Sequence, residues 1–148
     1  MTARGPWVVL LVGVVLGLAT ACAGPTTGAH DYRLKLANTA ESLESSAQTV
    51  IMAAGLLHDG RAFQPYVANV ISAAEDDATS IQQTFDSRQP PNHSSDELRQ
   101  HADTTINDVI SAITDARIAA RASETQDLAQ AADKLRRLLN DLQKLQGA

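Results

Sequence analysis

Apolar residues recur at alternating spacings of four and three through most of this chain, and this periodicity constrains its fold more than any other feature. The first such stripe runs through Leu36, Ala40, Leu43, Ala47, Val50, Ala54 and Leu57. Because one turn of an α-helix takes 3.6 residues, this spacing puts all seven side chains on one helical face. No strand-like alternation competes with it, so the sequence predicts an all-α protein.

Three further segments carry similar stripes. The second contains Val67, Val70, Ala74, Ala78, Ile81 and Phe85. The third contains Leu98, Ala102, Thr105, Val109, Ala112, Ala116 and Ala120, flanked by Ile106, Ile110 and Ile113. The fourth contains Leu128, Ala131, Leu135, Leu138, Leu142 and Leu145, the most regular heptad of the chain. Four segments of comparable length, each with one apolar face, predict an antiparallel up-down four-helix bundle over residues 30–148.

Turn-forming residues separate the first three segments. Gly60 suits the C-terminal end of the first helix, and Pro65 suits the first turn of the second. The prolines at 90–91 stop the second helix, because proline lacks an N–H and disfavours helix in the residue before it. Ser94 and Glu97 have the spacing of a capping box, which predicts the start of the third helix.

The boundary between the third and fourth segments carries no glycine or proline. Ser123 and Gln126 repeat the capping spacing, and Ala122 is the only apolar residue between positions 121 and 127. These features favour a break near Ser123. The alternative is one continuous helix over 95–146, about 75 Å long at 1.5 Å per residue, in a three-helix, extended or dimeric assembly. We expect the compact bundle.

The N-terminal residues 1–21 have the pattern of an export signal. Arg4 is the only charged residue before an uncharged apolar stretch, Trp7–Ala19, and small residues follow it. A membrane-spanning helix needs about 20 apolar residues, so this stretch is short for a span. The sequence therefore predicts a cleaved signal peptide, with an uncleaved N-terminal anchor as the alternative.

Cys22, the single cysteine, directly follows this segment in "LATAC". This motif resembles the lipobox of bacterial lipoproteins, although Ala19 stands where leucine is commonest. The resemblance implies that Cys22 becomes the first residue of the mature chain and carries a diacylglyceryl group on its sulfur. A core cysteine or an intermolecular disulfide fits poorly beside a small, polar stretch. The composition, rich in Ala, Asp, Thr and Val, resembles that of small actinobacterial lipoproteins, many of which have no assigned activity.

The cysteine is followed by "AGPTTGA", so we interpret residues 22–29 as a lipidated cysteine and a flexible tether. This tether reaches at most about 25 Å when extended. Each buried methylene contributes about 0.8 kcal/mol to membrane binding, so two acyl chains hold a protein far more firmly than one. We therefore expect the domain to lie close over the extracytoplasmic face of the cell membrane.

The charge of the expected mature chain limits its partners. Removing residues 1–21 removes Arg4, which leaves 11 basic against 17 acidic side chains and a formal charge of −6. Nucleic acid requires a basic patch, and anionic headgroups would repel an acidic surface. The membrane contact is therefore expected through the acyl chains alone, and a protein of the cell envelope is the expected partner.

Three histidines are the candidate metal ligands. Up-down topology places His30, His93 and His101 towards one end of the bundle and His58 at the other. Three imidazoles near one another could bind a metal. The alternative is that they are simply solvated, because no two have the spacing that puts two ligands on one helical face. Neither the Glu-x-x-His pairs of a di-iron bundle nor a Cys-x-x-Cys-His haem motif occurs.

Two charged stretches have both a functional and a structural interpretation. The acidic run 75–77 could contact calcium or a cationic partner, but three successive helical residues point in three directions, which favours a solvated face. Within 132–144, Asp133, Arg137 and Asp141 have the spacing for ion pairs along one helix. Leu139 lies off the main stripe and is the one hint of a contact surface.

Motifs for catalysis are not found in the sequence. It contains no Gly-x-Ser-x-Gly elbow and no phosphate-binding glycine loop. We expect neither enzymatic activity nor a cofactor. The favoured function is a non-enzymatic helical interaction or scaffold module, since alanine-rich stripes predict tight packing. The alternatives are a carrier with an apolar ligand, such as a lipid or haem, inside the bundle, and an enzyme of unrecognised type.

Overall fold

Four α-helices make up the described part of the chain. The computed structural model describes residues 28–148. The helices are α1 (Ala29–His58), α2 (Gln64–Asp86), α3 (His93–Ala122) and α4 (Thr125–Gln146). These residues contain no strand, which confirms the predicted all-α class.

The helices close into a ring in which each one packs against the next and α4 packs against α1. The turns 59–63, 87–92 and 123–124 are too short to cross the length of the bundle, so sequential helices run antiparallel. In addition, α1 contacts α3 across the centre, whereas α2 and α4 make no contact. The predicted four-helix bundle is confirmed, and its cross-section is a rhombus. We call the end where α1 and α3 begin the N-terminal end and the opposite one the far end.

The core extends along the whole bundle. Its largest side chains with no exposed surface are Tyr32, Leu36, Leu43, Val50, Val67, Ile71, Phe85, Val109, Ile113, Leu135 and Leu142. Side chains that water cannot reach do not line a space wide enough for a water molecule, so the interior around them is filled. The stripes predicted most of this core but were too wide, because some members are only partly buried: Leu57, Val70, Ile81, Leu98, Ile110 and Leu138. Tyr32 and Ile71 were missed.

The turn between α1 and α2 follows the predicted chemistry. Gly60 has a φ of +67°, a conformation that costs a residue with a Cβ free energy. The N–H groups of Arg61 and Ala62 donate to the Leu56 carbonyl at 2.8 and 3.1 Å, and Pro65 lies in the first turn of α2. Both predicted turn residues therefore have the expected roles.

The start of α3 differs from the prediction. Asn92, not Ser94, precedes the first helical residue, and its Oδ1 accepts from the Ser95 N–H at 3.0 Å. The Ser94 hydroxyl donates to the same Oδ1 at 2.9 Å instead of capping the helix. The predicted capping box of Ser94 and Glu97 is wrong because the helix begins at His93, one residue before its proposed cap.

A break near Ser123 is confirmed, which rules out the continuous 95–146 helix. Ser123 ends α3 in the left-handed conformation with a φ of +65°. It does not cap α4, whose N-cap is Glu124 without a side-chain bond. Instead, the Gln64 side chain crosses from α2 and donates to the Ser123 hydroxyl at 2.6 Å and to the Ala120 carbonyl at 2.7 Å. A hydrogen-bonded side chain from a neighbouring helix therefore stabilises the turn at Ser123. The capping spacing predicted the position of this turn but not the interaction that stabilises it.

Candidate functional site

The predicted lipidation site precedes the described part of the chain. Cys22, the signal segment 1–21 and the tether residues up to 27 lie outside the described residues. Gly28 precedes α1 at the N-terminal end of the bundle, so the chain enters the domain there.

The candidate metal ligands are on the surface. His30 lies in the first turn of α1, His93 is the first residue of α3 and His101 lies two turns further along, all three exposed. His93 Nδ1 is 3.8 Å from Asp96 Oδ2, and both side chains are mostly in solvent. The up-down topology does place these histidines towards one end, as expected. In residues 28–148, however, no group of three potential ligands lies close enough to hold a metal ion.

The same end contains a buried aromatic pair. The rings of Tyr32 and Phe85 lie 6.1 Å apart at an angle of 42°, and the Arg99 guanidinium lies 5.6 Å from the centre of the Phe85 ring. The Tyr32 hydroxyl is buried without a hydrogen-bond partner. Burial raises the pKa of Tyr32 above 10.0, nearby Asp103 and Asp96 add to the rise, and Arg99 opposes it. This pair is structural, with one unsatisfied polar atom.

Within the acidic run 75–77, one member differs from the expected solvated face. Glu75 faces α3, where it pairs with Arg117 and accepts from the Thr114 hydroxyl at 2.7 Å. Asp76 and Asp77 are exposed. Glu75 therefore contributes to helix packing, and only its neighbours remain surface charges.

The charged stretch 132–144 also pairs differently from the prediction. Asp133 pairs with Arg136, and Asp141 pairs with Lys144, each three residues apart. The predicted pairing through Arg137 at four-residue spacing is wrong. Leu139 is partly buried against the core, so it provides only a little apolar surface.

Exposed apolar side chains are concentrated at the far end of the bundle. Phe63 is 86% exposed, Tyr66 62%, Met52 61% and Ile118 52%, and each lies within about two turns of that end. Leu34, at the N-terminal end, is the other large exposed apolar residue among residues 28–148. Phe63 immediately precedes α2 and Tyr66 lies in its first turn, so both residues belong to the start of this helix.

One exposed face connects three of these residues to a groove between α1 and α2. The groove, of about 220 Å³, is lined by Ser45, Ser46, Thr49, Val70, Ala73, Ala74 and Asp77. Met52 follows Thr49 by three residues, and Tyr66 precedes Val70 by four, so both lie one turn further towards the far end. We call the combined surface the α1–α2 face, and it comprises Glu41, Ser45, Thr49, Met52, Phe63, Tyr66, Val70, Ala73 and Asp77.

The charge of the bundle is unevenly distributed along the chain. Residues 29–87 contain eight acidic side chains and three basic, whereas residues 88–148 contain nine acidic and eight basic. Nearly all of the net negative charge therefore belongs to α1, α2 and the turn between them. This asymmetry was visible in the sequence, but only the structure shows that the acidic half also carries the exposed aromatic residues.

Two other grooves lie between helices near the far end. The first, of about 460 Å³ between α3 and α4, contains Asp115, Ile118, Glu124, Asp127, Lys134 and Arg137 in its lining. The second, of about 240 Å³ between α1 and α4, is lined largely by small residues, among them Ala54, Gly55, Ala129 and Ala132. Lys134 lies 3.9 Å from Asp115, so an ion pair spans the first groove.

Within residues 28–148, no helix is both long and apolar enough to cross a membrane. Comparison with protein-family models, with curated proteins and with solved structures finds no match to this chain.

Proposed function

We propose that this chain is an exported lipoprotein, held on the extracytoplasmic face of the cell membrane by acyl chains on Cys22, whose bundle is a non-enzymatic interaction or scaffold module of the cell envelope. One observation supports the interaction module. Phe63, Tyr66 and Met52 are more than 60% exposed, and each lies within about two turns of the far end. Neighbouring exposed aromatic and methionine side chains are typical of surfaces that contact other proteins.

The filled core supports an interaction module over a carrier. Leu36, Leu43 and Leu135 have no exposed surface, and neither have Phe85 and Leu142. A lipid or haem inside the bundle would have to separate helices that pack through these side chains. Its binding would therefore lose much of the apolar contact that stabilises the fold.

The anchor is tested by replacing Cys22 with serine in the full chain, with Ala23→Ser as the matched control. We expect the wild type and Ala23→Ser to sediment with membranes and to yield an N-terminal peptide carrying the mass of a diacylglyceryl group. Cys22→Ser should be unlipidated and either uncleaved or released. Cleavage and membrane attachment that survive Cys22→Ser would contradict the lipoprotein proposal.

The carrier alternative is tested by native mass spectrometry of residues 22–148 purified under mild conditions from the producing cells. We expect the mass of the polypeptide with only the modification of Cys22. A stoichiometric extra mass that corresponds to a lipid or haem, and that is lost on denaturation, would favour the carrier.

A further inference from the structure

The α1–α2 face changes from apolar to acidic along its length. Phe63, Tyr66 and Met52 form its apolar end, and the groove beside Val70 forms its middle. Asp77 lines the other end of the groove, and Glu41 lies one turn beyond Ser45 in the same direction. From Tyr66 to Asp77 there are 11 residues of α2, or about 16 Å at 1.5 Å per residue.

The shape of this face suits a helix. Two antiparallel helices with small residues between them, such as Ser45, Thr49 and Ala73, leave a shallow channel parallel to their axes. Amphipathic helices bind in such channels through apolar side chains at positions i, i+4 and i+7. An occupant that contacts both Tyr66 and Asp77 needs about three helical turns.

Charge determines which helix fits. No lysine or arginine occurs on α1 after Lys35 or anywhere on α2, so Glu41 and Asp77 have no basic neighbour on this face from either helix. A second copy packed on this face with its helices parallel would place like charges opposite one another. Packed antiparallel, it would place the carboxylates of each copy on the apolar end of the other without a countercharge. An anionic lipid surface would be repelled by the carboxylates. A basic helix matches both the groove and the carboxylates.

We infer that the α1–α2 face docks a basic amphipathic helix of another envelope protein, and this inference rests on the proposed function. The occupant has a large apolar residue that packs against Tyr66 and Met52, small or apolar residues at i+4 and i+7, and lysine or arginine at about i+11 facing Asp77. The apolar end supplies most of the affinity, and the carboxylates fix the direction of the helix.

The test uses photocrosslinking of the full chain in the cells that produce it. A benzophenone amino acid replaces Met52 on the α1–α2 face or, as the matched control, Ile118 at the same end of the bundle. The two side chains have similar exposure, 61% and 52%. The crosslinked segment is identified by peptide sequencing. We expect Met52 replacement to yield one polypeptide segment with the apolar and basic spacing given above, and Ile118 replacement to yield none.

Charge variants test the second part of the inference. Glu41→Gln combined with Asp77→Asn should lower the crosslinking yield from position 52 about fourfold, because each exposed charge pair contributes about a factor of two. Glu97→Gln combined with Asp108→Asn removes the same charge from α3 and should leave the yield unchanged. Raising the salt concentration should weaken the wild type more than the neutralised variant.

Each remaining outcome has a definite meaning. Crosslinks from position 52 to lipid, to a second copy or to an acidic or neutral segment overturn the docking inference, as do unchanged yields in the neutralised variant. Protein crosslinks from position 118 but not 52 also overturn it and leave the proposed interaction module standing. If a benzophenone at position 52, at position 118 or at position 34 yields no protein crosslink in any of the three variants, the interaction module itself is contradicted.

Discussion

Replacing Tyr32 with phenylalanine should stabilise the bundle at neutral pH. The ring of Tyr32 is fully buried against Phe85, and its hydroxyl is buried without a partner. A buried polar group without a hydrogen bond costs about 1–3 kcal/mol, whereas phenylalanine keeps the apolar contacts of the ring. Because removal of the hydroxyl also leaves a small space, we take the lower value and expect a gain of about 1 kcal/mol in the free energy of unfolding.

Urea unfolding followed by circular dichroism measures this difference directly. Tyr66→Phe is the matched control: its hydroxyl belongs to a side chain that is 62% exposed, so its removal should change stability by less than about 0.5 kcal/mol. The reasoning is refuted if Tyr32→Phe is less stable than the wild type, since that result would mean that the hydroxyl has a hydrogen-bond partner in solution.

The same residue predicts a dependence of stability on alkaline pH. Burial raises the pKa of Tyr32 above 10.0, so the unfolded chain loses this proton at a lower pH than the folded one. Titration of Tyr32 therefore leaves the free energy of unfolding unchanged below pH 10.0. It lowers this free energy as the pH rises from there through the higher pKa of the folded state. The stability advantage of Tyr32→Phe over the wild type should widen above pH 10. A constant difference between pH 8 and 11 would contradict the raised pKa.

Two paired substitutions test local structure in the same unfolding assay. Asn92→Ala should lower the free energy of unfolding by about 1 kcal/mol because it removes the cap of α3, whereas Ser94→Ala should lower it less. A larger loss for Ser94→Ala would indicate that Ser94 caps the helix after all. Gly55→Ala should stabilise α1 by up to about 1 kcal/mol, because a Cβ there meets no atom within 4 Å. Gly60→Ala should destabilise the bundle because residue 60 has a positive φ. A loss of stability in both variants would show that the groove beside Gly55 is packed.

The candidate site was only partly predictable from the sequence. The sequence shows four aromatic residues between positions 30 and 148 but not which of them are buried. Their division into a buried pair, Tyr32 and Phe85, and an exposed pair, Phe63 and Tyr66, depends on which helix faces meet. Periodicity gives the apolar face of a helix but not the neighbour that covers it. The α1–α2 face therefore emerged only from the arrangement of the helices.

Interactions between side chains show the same limit. Glu75 was expected in solvent, but α3 brings Arg117 and Thr114 to it. Asp133 and Asp141 were expected to pair with Arg137, but each pairs with a residue three positions on. Helical spacing allows both three- and four-residue pairs, and the choice between them depends on how each side chain is oriented by its surroundings.

The sequence by itself determined the all-α class, the first two turns and most of the core, because these follow from the spacing of apolar residues and from glycine and proline at those turns. Tertiary structure alone decided how the chain reverses at Ser123, where Gln64 from α2 satisfies the end of α3. It also decided which apolar residues stay exposed. The physical reason is the same in both cases: periodicity is a property of one helix, whereas burial and hydrogen bonding are properties of its neighbours.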